Sequence, residues 1–252
     1  MLCGPAGAGK THIVRTVASE VGCSFISFSS CEIVSKWTNQ PEQQMKDLFR
    51  KARDQKPAII LIDDLDTLCL LGTADLLKAF IEETQDMDGL HLVSATNKPW
   101  VLPPSILSCF IHKINITLPD ESSRLALLKS LLDENVQISK EEMGEISKKT
   151  QGYSCADLVV LSREAAMQPI RALMNTIYFK KVCVQEKGNI DKTRECWVPC
   201  SEGDPDAVKM NAMDISDQLL QPSVSMQNFV EAMETMKSSV SQEELLKFNQ
   251  WG

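Results

Sequence analysis

The sequence predicts an α/β fold: a parallel β-sheet flanked by helices, followed by a smaller helical unit. Three observations predict it. Near the start a Gly-rich turn, Gly4-Pro5-Ala6-Gly7-Ala8-Gly9, runs directly into an amphipathic pattern from Lys10. Further on, Ala58-Ile59-Ile60-Leu61-Ile62 is a continuous apolar run that follows Pro57 and ends in acids, Asp63, Asp64 and Asp66. An unbroken apolar run of strand length marks a strand covered on both faces, as in parallel sheets. From Glu121 onward the periodicity becomes helical.

The Gly-rich turn carries a specific chemistry. Gly4, Gly9, Lys10 and Thr11 fill the pattern G-x-x-x-x-G-K-[ST] of a phosphate-binding loop. Small residues between the two glycines let backbone N–H groups turn inward around a phosphate. The helix opening at Lys10 points its positive end at the same anion. Lys10 is placed to reach the terminal phosphates and the Thr11 hydroxyl to ligate Mg²⁺. Pro5, Ala6, Gly7, Ala8 and His12 complete the expected cradle, and Cys155 is assigned to the same nucleotide site. Acids just beyond the carboxyl end of a parallel strand lie where open α/β sheets bind ligands. Asp63 is therefore expected to hold Mg²⁺ with Thr11, and Asp64 to orient the attacking water. Asn97, closing the apolar run Leu90–Ala95, is expected beside the γ-phosphate. The expected catalytic set is Asp64, Asn97 and Lys10, the cofactors are ATP and Mg²⁺, and the fold class is that of a P-loop NTPase.

The remaining elements follow in order. A helix is expected over Thr11–Val21, with Ile13, Val14, Val17 and Ala18 on one face and Gly22 ending it. A strand over Cys23–Phe28 precedes a short helix near Cys31–Val34, for which Ser29 and Ser30 are candidate caps. Ser35-Lys36-Trp37-Thr38 is a polar loop whose aromatic residue, taken alone, reads as an anchor against the core. Helices over Glu42–Arg53 and Leu76–Thr84 alternate with strands over Leu90–Ala95 and Ile114–Leu118. Only Met1, Leu2 and Cys3 precede the phosphate loop, which predicts a truncated first strand and an incomplete N-terminus. Helices over Arg124–Leu132, Lys140–Thr150 and Ala156–Ala172, the last capped by Ser154, form the second unit. The polar stretch 182–213 reads as a small β element or ordered loop, and helices over Val224–Met236 and Gln242–Phe248 end the chain. The expected division is 1–120 for the sheet domain and 121–252 for the helical unit with its β insertion.

Composition narrows the partners. A net charge of -8 argues against a broad nucleic-acid footprint. No apolar run reaches membrane-spanning length, and no basic-then-apolar signal opens the chain. The 9 cysteines are odd in number and several sit in apolar runs, which reads as reduced cytoplasmic thiols. Cys196 and Cys200 lack a second pair at zinc-finger spacing.

With both nucleotide motifs placed, the chain resembles AAA ATPases of the meiotic clade, specifically the vacuolar protein sorting-associated protein four family. The resemblance rests on Gly4–Thr11, Ser35-Lys36-Trp37, Ile59–Asp66, Ala95-Thr96-Asn97 with Pro99-Trp100-Val101-Leu102, and Gly152-Tyr153-Ser154. A C-terminal signature narrows it: Pro199-Cys200-Ser201 through Gly203-Asp204-Pro205, then Met213-Asp214 and Leu219–Val224. The resemblance implies a ring of AAA subunits with ATP at the interfaces and Lys36-Trp37 as a pore loop gripping a threaded peptide. It also implies a protein-filament substrate, ESCRT-III, and recruitment of a cytoplasmic protein to the endosomal membrane. Three departures stand out, the first two bearing on turnover and the third on translocation. Asp64 stands where the family has Glu, one methylene longer; a misplacement of about 1 Å can cost about 10²-fold. Leu107-Ser108-Cys109 precedes Phe110 where the family carries arginine fingers, and a finger is worth about 10³ to 10⁵ in rate in other nucleotide hydrolases. The segment after Cys69 is short, so a second pore loop is not expected. These departures give an alternative reading: a nucleotide-binding subunit with weak turnover and a structural or regulatory role in a mixed ring.

Overall fold

A computed structural model describes residues 1–29, 41–85, 87–132, 137–185, 193–220 and 222–251. The chain forms two compact units. One comprises Met1–Pro119, Gly152–Asp157 and Ser238–Gly252; the other comprises Asp120–Gln151 and Leu158–Lys237.

The first unit runs β1 (Leu2–Cys3), α1 (Lys10–Val21), β2 (Ser24–Phe28), α2 (Pro41–Asp54), β3 (Ala58–Ile62), α3 (Leu65–Leu68), α4 (Ala74–Gln85), β4 (Leu90–Thr96), α5 (Pro104–Leu107) and β5 (Ile114–Asn115). The strands form one sheet in the order β2-β3-β4-β1-β5, every neighbouring pair parallel. All of β3 is buried. Its side chains alternate between two cores, as the pleat requires. Ile60 and Ile62 join Phe49 of α2 with Leu77 and Ile81 of α4, whereas Ile59 and Leu61 join Val14 and Ala18 of α1. This two-sided burial is the reason for the unbroken apolar run.

Three details differ from the sequence pattern. Of the four apolar residues expected on one face of α1, only Val14 and Ala18 are buried, while Ile13 and Val17 stay exposed, so the helix touches the sheet along a narrower stripe than its periodicity suggests. Strand β5 has two residues, not five, because its partner β1 offers only two ladder positions, Leu2↔Ile114 and Cys3↔Asn115. Between α3 and α4 the connection is the π-helical turn Cys69–Thr73, reversed at Gly72 with φ 78. The helix expected near Cys31–Val34 and the Lys36-Trp37 loop lie outside the described residues.

The second unit contains α6 (Glu121–Leu131), α7 (Lys140–Lys149), most of α8 (Cys155–Asn175), β6 (Tyr178–Gln185), β7 (Thr193–Pro199), β8 (Val208–Lys209) and α9 (Met226–Thr235). Ser139 opens α7 with a reciprocal capping box to Glu142. Buried Arg124 donates to the Ser147 carbonyl near the end of α7 through Nε at 2.9 Å and Nη2 at 2.8 Å, satisfying an acceptor the helix leaves open. The stretch expected as a β element is an antiparallel sheet in the order β7-β6-β8, starting earlier than position 182. Phe179, Trp197, Leu173 and Ala212 form its core, and Trp197 donates its indole N–H to Gln218 Oε1 at 3.2 Å.

The final helix, α10 (Gln242–Trp251), belongs with the sheet unit and not, as the division at 120/121 implies, with the helical one. Phe248 meets Trp100 edge to face, with centroids 5.0 Å apart, and Trp251 packs against the larger core. No local pattern announces a partner almost 150 positions away. Replacing buried Phe248 with Ala should cost about 3–5 kcal/mol of stability, read as a lower urea midpoint.

Candidate nucleotide site

The site is built at the carboxyl ends of β1, β3 and β4, where parallel sheets leave a crevice. Residues 4–9 connect β1 to α1. A Cβ at Gly4 would sit 2.1 Å from the Ile116 carbonyl oxygen, so only glycine lets the loop leave the sheet there. Gly7 has φ +73, and a Cβ on it would come 2.7 Å from Ser154 Oγ and 2.9 Å from Ala156 Cβ. The loop is backed by Gly152–Asp157. Ala156 N donates to Gly7 O at 3.1 Å, and the Cys155 thiol donates to Ala8 O at 3.7 Å. Burial pushes the Cys155 thiol up, which keeps it protonated as that donor.

Lys10 is buried at 6% exposure. Its Nζ donates to Gly4 O at 2.8 Å, Pro5 O at 2.9 Å and Asn97 Oδ1 at 2.7 Å. Those bonds use all three donors of an ammonium. Burial pulls Lys10 below its ordinary range, while Asp63, Asp64 and Asp66 oppose that pull. Thr11 donates its hydroxyl to Asp63 Oδ2 at 2.6 Å. Paired hydroxyl and carboxylate oxygens suit a hard divalent cation. His12 stands exposed on α1, its ring Nδ1 3.5 Å from Thr16 Oγ1.

Asp64 adopts a left-handed conformation, φ 52 and ψ 48, and its N–H turns back to Asp63 Oδ1 at 3.0 Å. Asp is among the few residues other than Gly that tolerate this region. Asn97 Nδ2 donates to Asp64 Oδ1 at 3.2 Å. Because Lys10 only donates and an ionised carboxylate only accepts, the Asn97 amide has one sensible orientation between them. Burial raises the Asp64 pKa, the charges of Asp63 and Asp66 raise it further, and Lys10 and Asn97 act in the opposite sense.

The structure thus brings Lys10, Thr11, Asp63, Asp64 and Asn97 together, with residues 4–9 as the cradle and Cys155 behind it. Lys36 and Trp37 lie outside the described residues. Sequence reasoning assigned no role to Asp66, whose carboxylate reaches Thr96 Oγ1 at 2.8 Å, or to Asp157. Asp157 is buried and accepts from Ser154 N at 2.8 Å and Ser239 N at 3.3 Å. A Ser-x-x-Asp spacing at Ser154–Asp157 is the signal that finds it. In the stretch before Phe110, Ser108 faces solvent and Cys109 is buried with its thiol 3.2 Å from Ser105 O.

Two measurements check this geometry. Gly7→Ala should weaken nucleotide binding at least about tenfold, since the loop must leave its strained turn and its contact with Ser154; titration calorimetry reads it. Burial alone would raise the Asp157 pKa, but bonds from Ser154 and Ser239 outweigh it and hold the pKa below 3.8. Its stabilising share is complete above that ordinary value and disappears as pH falls through the lower folded value. Wild type should therefore be more stable than Asp157→Asn near about pH 6, and the gap should narrow as pH falls below the ordinary carboxylate range.

The comparisons agree with this architecture. The family described as "ATPase family associated with various cellular activities (AAA)" matches residues 1–118, the AAA+ lid domain matches 140–183, and the Vps4 C terminal oligomerisation domain matches 197–252. Vacuolar protein sorting-associated protein 4B of Mus musculus is 36% identical over 266 residues, covering 100% of this chain and 60% of that protein. The 4A protein of Homo sapiens is 36% identical over 265 residues, covering 98% and 60% respectively. Spastin of Rattus norvegicus is 33% identical over 186 residues, covering 69% of this chain and 32% of spastin. The chain thus spans 60% of the length of these Vps4 relatives. Among solved structures, the FIGL-1 AAA domain in complex with ADP superposes with a TM-score of 0.74 at 27% identity, over 99% of this chain and 75% of that one. A structure described as the basis for katanin self-assembly gives 0.72 at 27% identity, over 99% and 76%. The chain belongs to the AAA ATPase family, carrying in order an AAA nucleotide domain, an AAA+ lid and a Vps4-type C-terminal oligomerisation domain.

Proposed function

We propose that this chain binds ATP with Mg²⁺ at residues 4–12 and serves as one subunit of an AAA ring that remodels protein filaments. The observation that carries the nucleotide part is the linked set Lys10–Asn97–Asp64 beside the Thr11–Asp63 pair. Lys10 stands ready to exchange an internal acceptor for a terminal phosphate. Thr11 and Asp63 would hold Mg²⁺, which when bound neutralises charge on the phosphates. Asp64, fixed by Asn97, holds a carboxylate oxygen toward an attacking water and receives its proton.

The ring is supported by the match to the Vps4 oligomerisation domain and by the likeness to the katanin assembly structure. ESCRT-III as the filament, the endosomal membrane as the place of action and Lys36-Trp37 as the grip on substrate follow from the resemblance to the Vps4 relatives. No described helix is long and apolar enough to cross a membrane, which fits peripheral recruitment. Turnover by this chain alone is expected to be slow. Ser108 and buried Cys109 present no cation to a neighbouring site, and Asp64 is the shorter acid. In a mixed ring, the site could accept a finger but not supply one.

Lys10→Ala should lower ATP affinity about 10- to 100-fold or more, as expected for losing charge-assisted bonds. Asp64→Ala should leave affinity within about threefold but remove phosphate release. Equal loss of binding in both variants contradicts the division of roles. Phosphate release that rises with protein concentration above the Lys10→Ala background supports a self-sufficient ring. Bound nucleotide without turnover points to a partner subunit that supplies the missing cation.

A further inference from the structure

We infer that Asp66 is a positioning residue of the hydrolysis site, tying the end of β3 to the end of β4 and thereby setting Asn97 between Lys10 and Asp64. The inference rests on the ATP-hydrolysis reading above.

The sheet creates the need for such a tie. Strands β3 and β4 are paired only as far as Ile62↔Ser94. The next residues of β4 pair with β1 instead, through Leu2↔Ala95 and Cys3↔Thr96. Beyond Ile62 the chain turns away through Asp63 and left-handed Asp64 into α3. The β3–β4 ladder therefore stops before the two tails that carry the reacting groups.

Asp66 bridges this gap. It lies in α3 at 7% exposure, and its Oδ1 accepts from Thr96 Oγ1 at 2.8 Å and from Asn97 N at 3.3 Å. Thr96, fully buried, also accepts from Lys98 N at 3.2 Å through the same hydroxyl. Residues 96, 97 and 98 are thus organised about one carboxylate–hydroxyl pair. A buried carboxylate is costly unless its bonds are well made. Here both bonds go to the segment that presents Asn97, and not to α3's own neighbours. With its backbone held, the short Asn97 side chain reaches Lys10 at 2.7 Å and Asp64 at 3.2 Å together. Asp66 itself needs no contact with nucleotide; it acts through Asn97. A shift of about 1 Å at Asn97 would cost about 10²-fold in rate.

The test uses the full chain and the variants Asp66→Ala, Asp66→Asn and Thr96→Val. Steady-state kcat and KM, ATP affinity, and the Asn97 side-chain NH₂ signal in ¹⁵N-resolved NMR spectra are measured for each. The expected result is a fall in kcat of at least about tenfold for Asp66→Ala, with ATP affinity within about threefold of wild type. Asp66→Asn keeps an acceptor oxygen and should recover most of kcat. Thr96→Val should lose kcat in the same way, and it carries the test if Asp66→Ala does not fold. Unchanged kcat in a folded Asp66→Ala protein overturns the proposal. So does an equal loss of affinity and thermal stability that Asp66→Asn does not repair. If wild type binds ATP without any turnover, the hydrolysis reading fails separately, and the NMR signal decides for Asp66. A signal displaced in Asp66→Ala and restored in Asp66→Asn upholds the tie; one unmoved in Asp66→Ala refutes it.

Discussion

One buried ammonium links the parts of the nucleotide site. Lys10 gives its three protons to two carbonyls of its own loop and to Asn97 at the tip of β4. A desolvated cation without such acceptors would lose its proton or pull in water. The loop must therefore curl until Gly4 O and Pro5 O face inward, and the β4 tip must stand where Asn97 can complete the set. The position of β1 between β4 and β5 brings these elements side by side.

Around this centre the structure uses backbone contact where space is short and carboxylates where strands part. The Gly4 approach to Ile116 and the Gly7 approach to Ser154 and Ala156 leave no volume for a side chain. Gly152–Asp157 supports the loop from behind, with Asp157 joining its own helix start to Ser239, just ahead of α10. Asp66 plays a corresponding part between α3 and the β4 tip. Both acids are buried beside the site without belonging to the cradle itself, which is why motif spacing alone passes over them.

The acids after β3 show how one sequence run divides its labour by geometry. Asp63 turns to Thr11, Asp64 to Asn97 and Asp66 to Thr96. Left-handed backbone at Asp64 is what separates the first two directions. A chain continuing extended through position 64 would alternate its side chains across the sheet and could not present both carboxylates to the same crevice.

Much of this was legible in the sequence because its causes are local. The phosphate loop, the start of α1 and the two-sided burial of β3 follow from residue size and apolar periodicity over a few positions. So do the helical second unit and the capping at Ser154. Other features depend on partners far apart in the chain. The short β5 follows from the short β1, the exposure of Ile13 and Val17 from where α1 meets the sheet, and the docking of α10 from Trp100 meeting Phe248. The sequence by itself determined the fold class, the nucleotide motifs and the family. The tertiary structure alone decided which acid faces which partner and which unit claims the last helix, because hydrogen bonds and packing between distant segments leave no periodic trace in the chain.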